Sequence, residues 1–410
     1  MITIKNCNYI LFDHLEKLVE EGKLKGKKVV LFGLNSSSYA SKEYLEGKGV
    51  QIYAYIDNNE KKLLDMEEML EDTMQHHLSG QDYSDASGKF VRAYKPEALL
   101  TPFDDDFVIL IASKYYPSML LQLESLGYQE NKHVFKTVDF YGLDEILAGE
   151  EDIRGLEEFN QKQIREKQLE MVDYIAKVCK DHDLNLYMTG GTLLGAVRHK
   201  GYIPWDDDID LTIPMSDYRK MIDIMIADDK YDVYTMYNCP DSCNAFYMRL
   251  VDRDTIRKSW GFPFLTTSGV DIDIFPLIGM PDNAKDRQAF FDRLRRLVTR
   301  YSVLNVETVN VTEEVLEKKA RIRNEVLELI EKYDFYQSEM GGYILSKYWE
   351  RDIMPTSIYD GKLEMAFEDR TLIAPTGYDD YLARIFGDYM QLPPEKEQYV
   401  THNYKIYKRK

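Results

Sequence analysis

A chain of 410 residues is too long for one ordinary core, and at roughly 150 residues per domain it predicts two or three domains. Asp and Glu number 71 against 52 Lys and Arg, a net charge of −19, which excludes a general nucleic-acid binder because that needs a basic face to release counterions. A nucleotide substrate stays open, since a few local cations and a metal can hold phosphates. No apolar run reaches the roughly 18 residues of a membrane span, and the opening MITIKNCNYILFDHLEKL lacks a charged leader followed by an apolar stretch and a cleavage site, so the chain is expected to stay in the cytoplasm. The 31 tyrosines suit carbohydrate-binding or cation-binding surfaces as well as ordinary cores. Of the four scattered cysteines, Cys7, Cys179, Cys239 and Cys243, the last two make half a zinc site at most, without a second pair at ligand spacing.

In chain order, KKVVLF (residues 27–32) reads as a buried strand, followed by Gly33, the polar stretch Asn35-Ser36-Ser37-Ser38 and a helix to about Gly47. A second strand runs from Gln51 to Ile56 and ends at Asp57, a third from Phe107 to Ser113, then a helix around 117–126 and a short strand, HVFK. Strands alternating with helices predict a parallel sheet, a Rossmann-like accessory domain over residues 1–150, with the polar segment from about Met66 to Lys89 as an insertion. The dinucleotide fingerprint is broken: of its three glycines only Gly33 survives, with Asn35 and Ser38 in the other two places. NAD is therefore not expected, although Asp57 stands near the ribose-binding position, and a docking or oligomerisation role fits this half better.

From Gly155 to about His182 the apolar residues Ile164, Val172, Ile175 and Cys179 recur at helical spacing among charges, predicting one long amphipathic helix that opens a second domain over 151–410. The informative stretch follows: LNLYMTGGTLLGAVRHKGYIPWDDDIDLTIP, Leu184 to Pro214. It reads as a strand, the pair Gly190-Gly191, a short helix from Thr192 to Arg198, and a strand from Ile209 to Ile213. Paired glycines let backbone approach a ligand, and a helix N-terminus offers N–H groups to phosphate. Alternation puts Asp208 and Asp210 on one face of the strand, with Ile209, Leu211 and Ile213 toward the core. Two carboxylates so placed repel unless a cation lies between them, and hard oxygen donors suit Mg²⁺ or Mn²⁺. A third acid comes from Val270-Asp271-Ile272-Asp273-Ile274-Phe275, where Asp271 and Asp273 share the face opposite the apolar residues. A glycine pair, an Asp-x-Asp strand and a later acidic strand are the layout of a polymerase-β-like nucleotidyltransferase site, which can hold two metals. The expected fold class is thus mixed, α/β and α+β: a Rossmann-like parallel sheet followed by a nucleotidyltransferase-fold domain.

GGTLLGAVRHKGYIPWDDDIDL and VDIDIFPL closely resemble the LicD family, with fukutin-type enzymes as relatives, and YLARIFGDYMQLPPEKEQY (Tyr381 to Tyr399) is similar to the family's C-terminal segment. The resemblance covers roughly residues 160–405. It implies transfer of phosphocholine, or a related alcohol phosphate, from CDP-choline or another CDP-alcohol to a hydroxyl of a cell-surface glycan or its lipid-linked precursor. That acceptor would bring the protein into peripheral contact with the inner face of the membrane. The resemblance carries the metal carboxylates onto Asp208 and Asp210 and the third onto Asp273, with Asp271 its rival. In such a site Gly190, Gly191 and Thr192 would donate to phosphate oxygens. Arg198, His199 and Lys200 would form a cationic knot, with Arg198 neutralising the departing cytidylate. Arg249 would contact phosphate or acceptor, or make a surface salt bridge. Trp205, Tyr202 and Tyr247 are candidates for caging a quaternary ammonium, or are core and wall.

Three other classes compete, one of them an NAD(P)-linked oxidoreductase working through the front half, against which the broken fingerprint counts. A metal-dependent glycosyltransferase also uses Asp-x-Asp on a nucleotide diphosphate, but needs neither the glycine pair nor the second acidic strand. A non-catalytic scaffold of polysaccharide assembly would have no reason to keep all three acids.

Overall fold

The computed structural model describes every residue except 1–2, 7, 61, 65, 68–90, 114, 139–152, 154, 241–242, 244, 262–263, 308–312, 347, 395–397 and 399–403. Nearly all of the expected insertion at 66–89 lies outside the described residues, as does part of the tail segment. Among the described residues no helix is long and apolar enough to cross a membrane.

The front half is a five-stranded, all-parallel sheet. Strands Lys28–Phe32, Ile52–Ile56, Phe107–Ile111 and Val134–Lys136 fall where the apolar runs place them, and a fifth, Ala93–Tyr94, adds an edge. The strands are apolar on both faces because both faces are covered. Val29, Leu31, Val108 and Leu110 pack with Leu11 and Leu15 of helix Asn8–Glu20 and with Ala40 and Leu45 of helix Ser36–Gly47. Val30, Phe32, Ile109 and Ile111 pack against Tyr116, Met119 and Leu123 of helix Tyr116–Ser125.

The long amphipathic helix runs Gln161–Asp181. It starts six residues after Gly155 because Asn160 accepts from the Gln163 backbone N–H while the Gln163 side chain accepts from the Asn160 N–H, a capping box. Ile164, Val172, Ile175 and Cys179 are all buried, as their spacing predicts.

A seven-stranded mixed sheet follows. Its axis is the strand Asp271–Gly279, which pairs in parallel with Asp210–Pro214 on one edge and antiparallel with Met248–Val251 on the other, and farther along with Met340–Gly342. A third sheet is assembled from remote parts of the chain: Thr3–Asn6 pairs with Phe264–Ser268, that strand with Thr255–Gly261, and that in turn with Tyr404–Lys408. Mixed α/β architecture is thus what the periodicities predict, with a parallel sheet in front and a mixed sheet behind.

Candidate active site

The site grows from the register of two adjacent parallel strands. Asp210 and Asp273 are direct Cα partners, so their side chains emerge side by side on one face of the sheet. The strand bearing Asp210 begins at that residue rather than at Ile209. Asp208 therefore lies in the preceding loop, and strand alternation does not set its direction. The loop carries two more acids that the sequence reading passed over: one oxygen from each of Asp206, Asp207 and Asp208 falls within 4.8 Å of the others.

That loop is held by its backbone. From the long helix, Arg165 donates to the carbonyls of Asp206 (2.8 Å) and Ile203 (3.3 Å), and Gln168 donates to the Asp207 carbonyl at 2.9 Å. The loop's backbone is thereby fixed from the side of the helix. This explains why the polar face of the helix matters, which the apolar pattern could not indicate.

Helix Gly190–Arg198 points its N-terminus at the acids. A Cβ on Gly190 would sit 3.3 Å from Asp210 Oδ2, and one on Gly191 would sit 2.5 Å from Asp206 Oδ2. Gly190 also has φ +54, a conformation that favours glycine. Both glycines are thus explained by close approach of carboxylates to a helix end, where the macrodipole favours negative charge. Of the four amides in the first turn, Thr189 donates to the Asp210 carbonyl (3.2 Å) and Gly190 to the Tyr381 hydroxyl (3.2 Å). The remaining donors are Gly191 and Thr192, so the expectation of phosphate contact narrows: the Gly190 amide is taken. The Thr192 side chain is buried and accepts from the Asp210 N–H at 2.8 Å, fixing the strand to the helix. Tyr381, whose hydroxyl also lies 2.8 Å from Thr189 Oγ1, ties the C-terminal segment to this helix end.

Arg249 is the Cα partner of Asp273 on the other edge. Its Nε lies 3.1 Å from Asp273 Oδ1 and 3.4 Å from Asp271 Oδ2, and its Nη2 donates to the Tyr247 hydroxyl at 2.9 Å. Asp271 is paired in addition with Arg257, whose guanidinium rests 4.3 Å from the centre of the Tyr404 ring. The result is an alternating chain, Asp273–Arg249–Asp271–Arg257. It separates the two rival acids. Asp271 is buried between two guanidiniums, whereas Asp273 has Arg249 alone among these and stands beside Asp210. Burial raises the Asp273 carboxyl above the usual carboxylate range against the pull of Arg249, although 25% of the side chain is accessible; Asp271 and Asp208 push the same way. Burial opposes the charge of Arg249, and Asp273, Tyr247 and Asp271 more than offset it, so its pKa is raised.

Within the expected cationic group, Arg198 and His199 stay bonded to each other, and Lys200 has a backbone partner of its own. Arg198 donates to His199 Nε2 (2.9 Å) and to the Tyr389 carbonyl (2.8 Å), which binds the tail. Burial lowers the pKa of both, and for His199 the neighbouring Arg198 adds to it. Lys200 is exposed, with φ +63, and its Nζ donates to the Val197 carbonyl, as a helix-end cation does. Trp205 is half-buried, its ring edge-on to His199 at 6.1 Å. Tyr202 is no cage residue: it is buried, its hydroxyl donates to Gln168, and its face is covered by Arg165 at 4.4 Å. Tyr247 does lie at the site. Cys239 and Cys243 are free thiols, and burial pushes Cys243 up to about 12.

The donor set fits a hard divalent cation: carboxylate oxygens from the 206–208 loop, with Asp210 and Asp273 adjacent in register. Residues 183–305 match the family described as LicD/FKTN/FKRP, nucleotidyltransferase domain. The chain is also 27% identical over 259 residues to the lipopolysaccharide cholinephosphotransferase LicD of Haemophilus influenzae (strain ATCC 51907 / DSM 11121 / KW20 / Rd), an alignment covering 60% of this chain and 97% of that relative.

Proposed function

We propose, on the premise that the chain belongs to the LicD family, that it is a phosphotransferase moving phosphocholine from CDP-choline to a hydroxyl of a glycan or its lipid-linked precursor, with residues 151–410 as the catalytic domain. The observation that carries this reading is the pairing of Asp210 with Asp273 at the head of the glycine helix. Asp206, Asp207, Asp208 and Asp210 would hold Mg²⁺ or Mn²⁺, which supplies charge neutralisation for a diphosphate. The Gly191 and Thr192 amides would donate to phosphate oxygens. Asp273 would orient the acceptor hydroxyl and take its proton as the new oxygen–phosphorus bond forms and the bond to the cytidylate oxygen breaks, releasing CMP. Arg249 holds Asp273 in place rather than gripping phosphate, because both of its carboxylate partners are on the protein. The name of the Haemophilus influenzae relative supports choline phosphate as the group and a lipopolysaccharide-type acceptor.

The test is a mass-spectrometric screen of CDP-choline, CDP-ethanolamine, CDP-glycerol, CDP-ribitol, UDP-sugars and NAD(P)H with and without Mg²⁺. Metal-dependent release of CMP from CDP-choline is the expected result. Turnover of a UDP-sugar alone would instead establish the glycosyltransferase reading.

A further inference from the structure

Beyond the acids, the face that carries Asp273 continues into aromatic rings. Phe275 is two residues along the same strand and on the same face, roughly 7 Å farther on. Its ring lies 4.9 Å from that of Tyr247, inclined 67°, and 4.4 Å from that of Tyr343, inclined 29°. All three are half-buried, so the rings form a wall that keeps accessible surface while lying in the sheet's packed face. The wall is fixed from behind. The Thr212 hydroxyl donates to the Phe275 carbonyl at 3.0 Å, and a Cβ on Gly342, the residue before Tyr343, would lie 1.9 Å from the Asp352 carbonyl, so that backbone packs in direct contact.

The wall is already cation-compatible. The Arg249 guanidinium lies 5.7 Å from the centre of the Tyr247 ring while bonding that residue's hydroxyl. The rival aromatics do not meet these conditions. Tyr202 has its face covered by Arg165, and Trp205 neighbours His199, which is bonded to Arg198, a cation whose other partners are backbone carbonyls.

We propose that Phe275, Tyr343 and Tyr247 form the seat for the quaternary ammonium of the transferred group, and so set which alcohol phosphate the enzyme moves. This rests on the phosphocholine reading above. With phosphorus held over Asp210 and Asp273, choline's ethylene linker points its trimethylammonium along the strand to Phe275. The quadrupole of the rings attracts the charge, and their apolar surface matches three methyl groups that an ethanolamine ammonium lacks. Selectivity for choline over ethanolamine thus comes from aromatic contact, not from an ion pair.

The experiment measures kcat/KM for CDP-choline and CDP-ethanolamine with wild type, Phe275→Leu, Tyr343→Leu and the ring-keeping Phe275→Tyr and Tyr343→Phe, with inhibition by tetramethylammonium chloride alongside. Wild type is expected to favour CDP-choline and to be inhibited by tetramethylammonium. Each Leu variant should lose roughly tenfold in choline-over-ethanolamine preference, with weaker tetramethylammonium inhibition, while the ring-keeping variants hold theirs within about threefold. A loss of folding lowers both donors together and leaves the ratio unmoved, so the ratio isolates recognition; if a Leu variant is insoluble, tetramethylammonium inhibition of Phe275→Tyr and Tyr343→Phe at the wild-type level is still required. Wild-type turnover of CDP-choline with an unchanged ratio in soluble Leu variants overturns the aromatic seat and leaves the phosphocholine reading intact. No CDP-choline turnover by wild type overturns both.

Discussion

Two helices in this chain start from glycine at the end of a buried strand, and they use the room a missing side chain leaves in opposite ways. In the front sheet, Gly33 has φ +107 and the place of its Cβ is filled by the Asn35 amide, 2.7 Å away, while Asn35 itself caps the helix by accepting from the Ser38 N–H. Asp57 at the end of the next strand accepts from the Leu34 N–H at 2.7 Å, and the Lys62 ammonium lies 3.8 Å from it. The donors and acceptors around that turn answer one another. In the second half, the room above Gly190 and Gly191 is occupied by the carboxylates of Asp210 and Asp206, like charges brought together at a helix end. A self-satisfied turn is a structural joint. A turn that gathers carboxylates at a helix end is a place where a cation would ease their repulsion, and this is a better mark of a site than the glycines themselves.

Substitutions can break this contrast in order of effect. Asp208→Asn and Asp210→Asn keep shape and remove charge, so transfer should fall by at least about a thousandfold while the circular dichroism and melting temperature stay near wild type. Near-normal turnover in either folded variant would sink the assignment. Next come the neighbours on the central strand. Asp273→Ala should remove transfer almost wholly with little loss of stability, because Arg249 keeps Asp271. Asp271→Ala should retain measurable transfer but melt markedly lower, since it leaves two largely buried guanidiniums short of a partner, a loss on the order of 3 kcal/mol. A dead Asp271→Ala with an active Asp273→Ala would move the catalytic role by two residues.

The glycines give a smaller and more direct comparison. Gly191→Ala places a methyl 2.5 Å from Asp206 Oδ2, forcing that carboxylate to shift, and should cut activity roughly tenfold to a hundredfold at nearly unchanged melting temperature. Gly33→Ala should do the reverse, losing about 1–2 kcal/mol of stability to its positive φ with activity per folded molecule unchanged. Smallest of all, titration calorimetry of NAD(H) against the chain should give no heat at micromolar concentrations, because the Asn35 side chain stands where a pyrophosphate would need bare backbone. A micromolar affinity there would make the front turn a second site and erase the distinction.

What could be read from sequence follows the range of the interactions involved. Local pattern placed four of the front strands within a residue or two, because three of them are apolar runs bounded by Gly, Asp or Ser, and it placed the helix ending at Gly47. Tyr94, on a two-residue edge strand, carries no such pattern. At the site, Asp210 and Asp273 were legible because each sits between apolar residues whose burial fixes the face, and Gly190-Gly191 because a glycine pair precedes a helix. Asp208 was legible as an acid but not as a loop residue, since strand alternation cannot tell where a strand begins. Arg257, Tyr381, Phe275 and Tyr343 were missed for a different reason. Their roles depend on contacts across the third sheet, across the tail and across the central strand, and a single sequence carries no sign of who meets whom at such distance. Phe275 alone left a trace, lying in period with Asp271 and Asp273.

The third sheet has a temporal consequence. Arg257 sits on a strand flanked by Phe264–Ser268, made a few residues later, and by Tyr404–Lys408, made far later. At ribosomal rates the second flank arrives on the order of ten seconds after Arg257 itself. Until then this strand is an open edge beside an ion-pair chain that lacks the Tyr404 ring on its last guanidinium. The nascent protein therefore passes through an interval in which Asp271 and Arg257 are made but the strand that completes their neighbouring sheet is not.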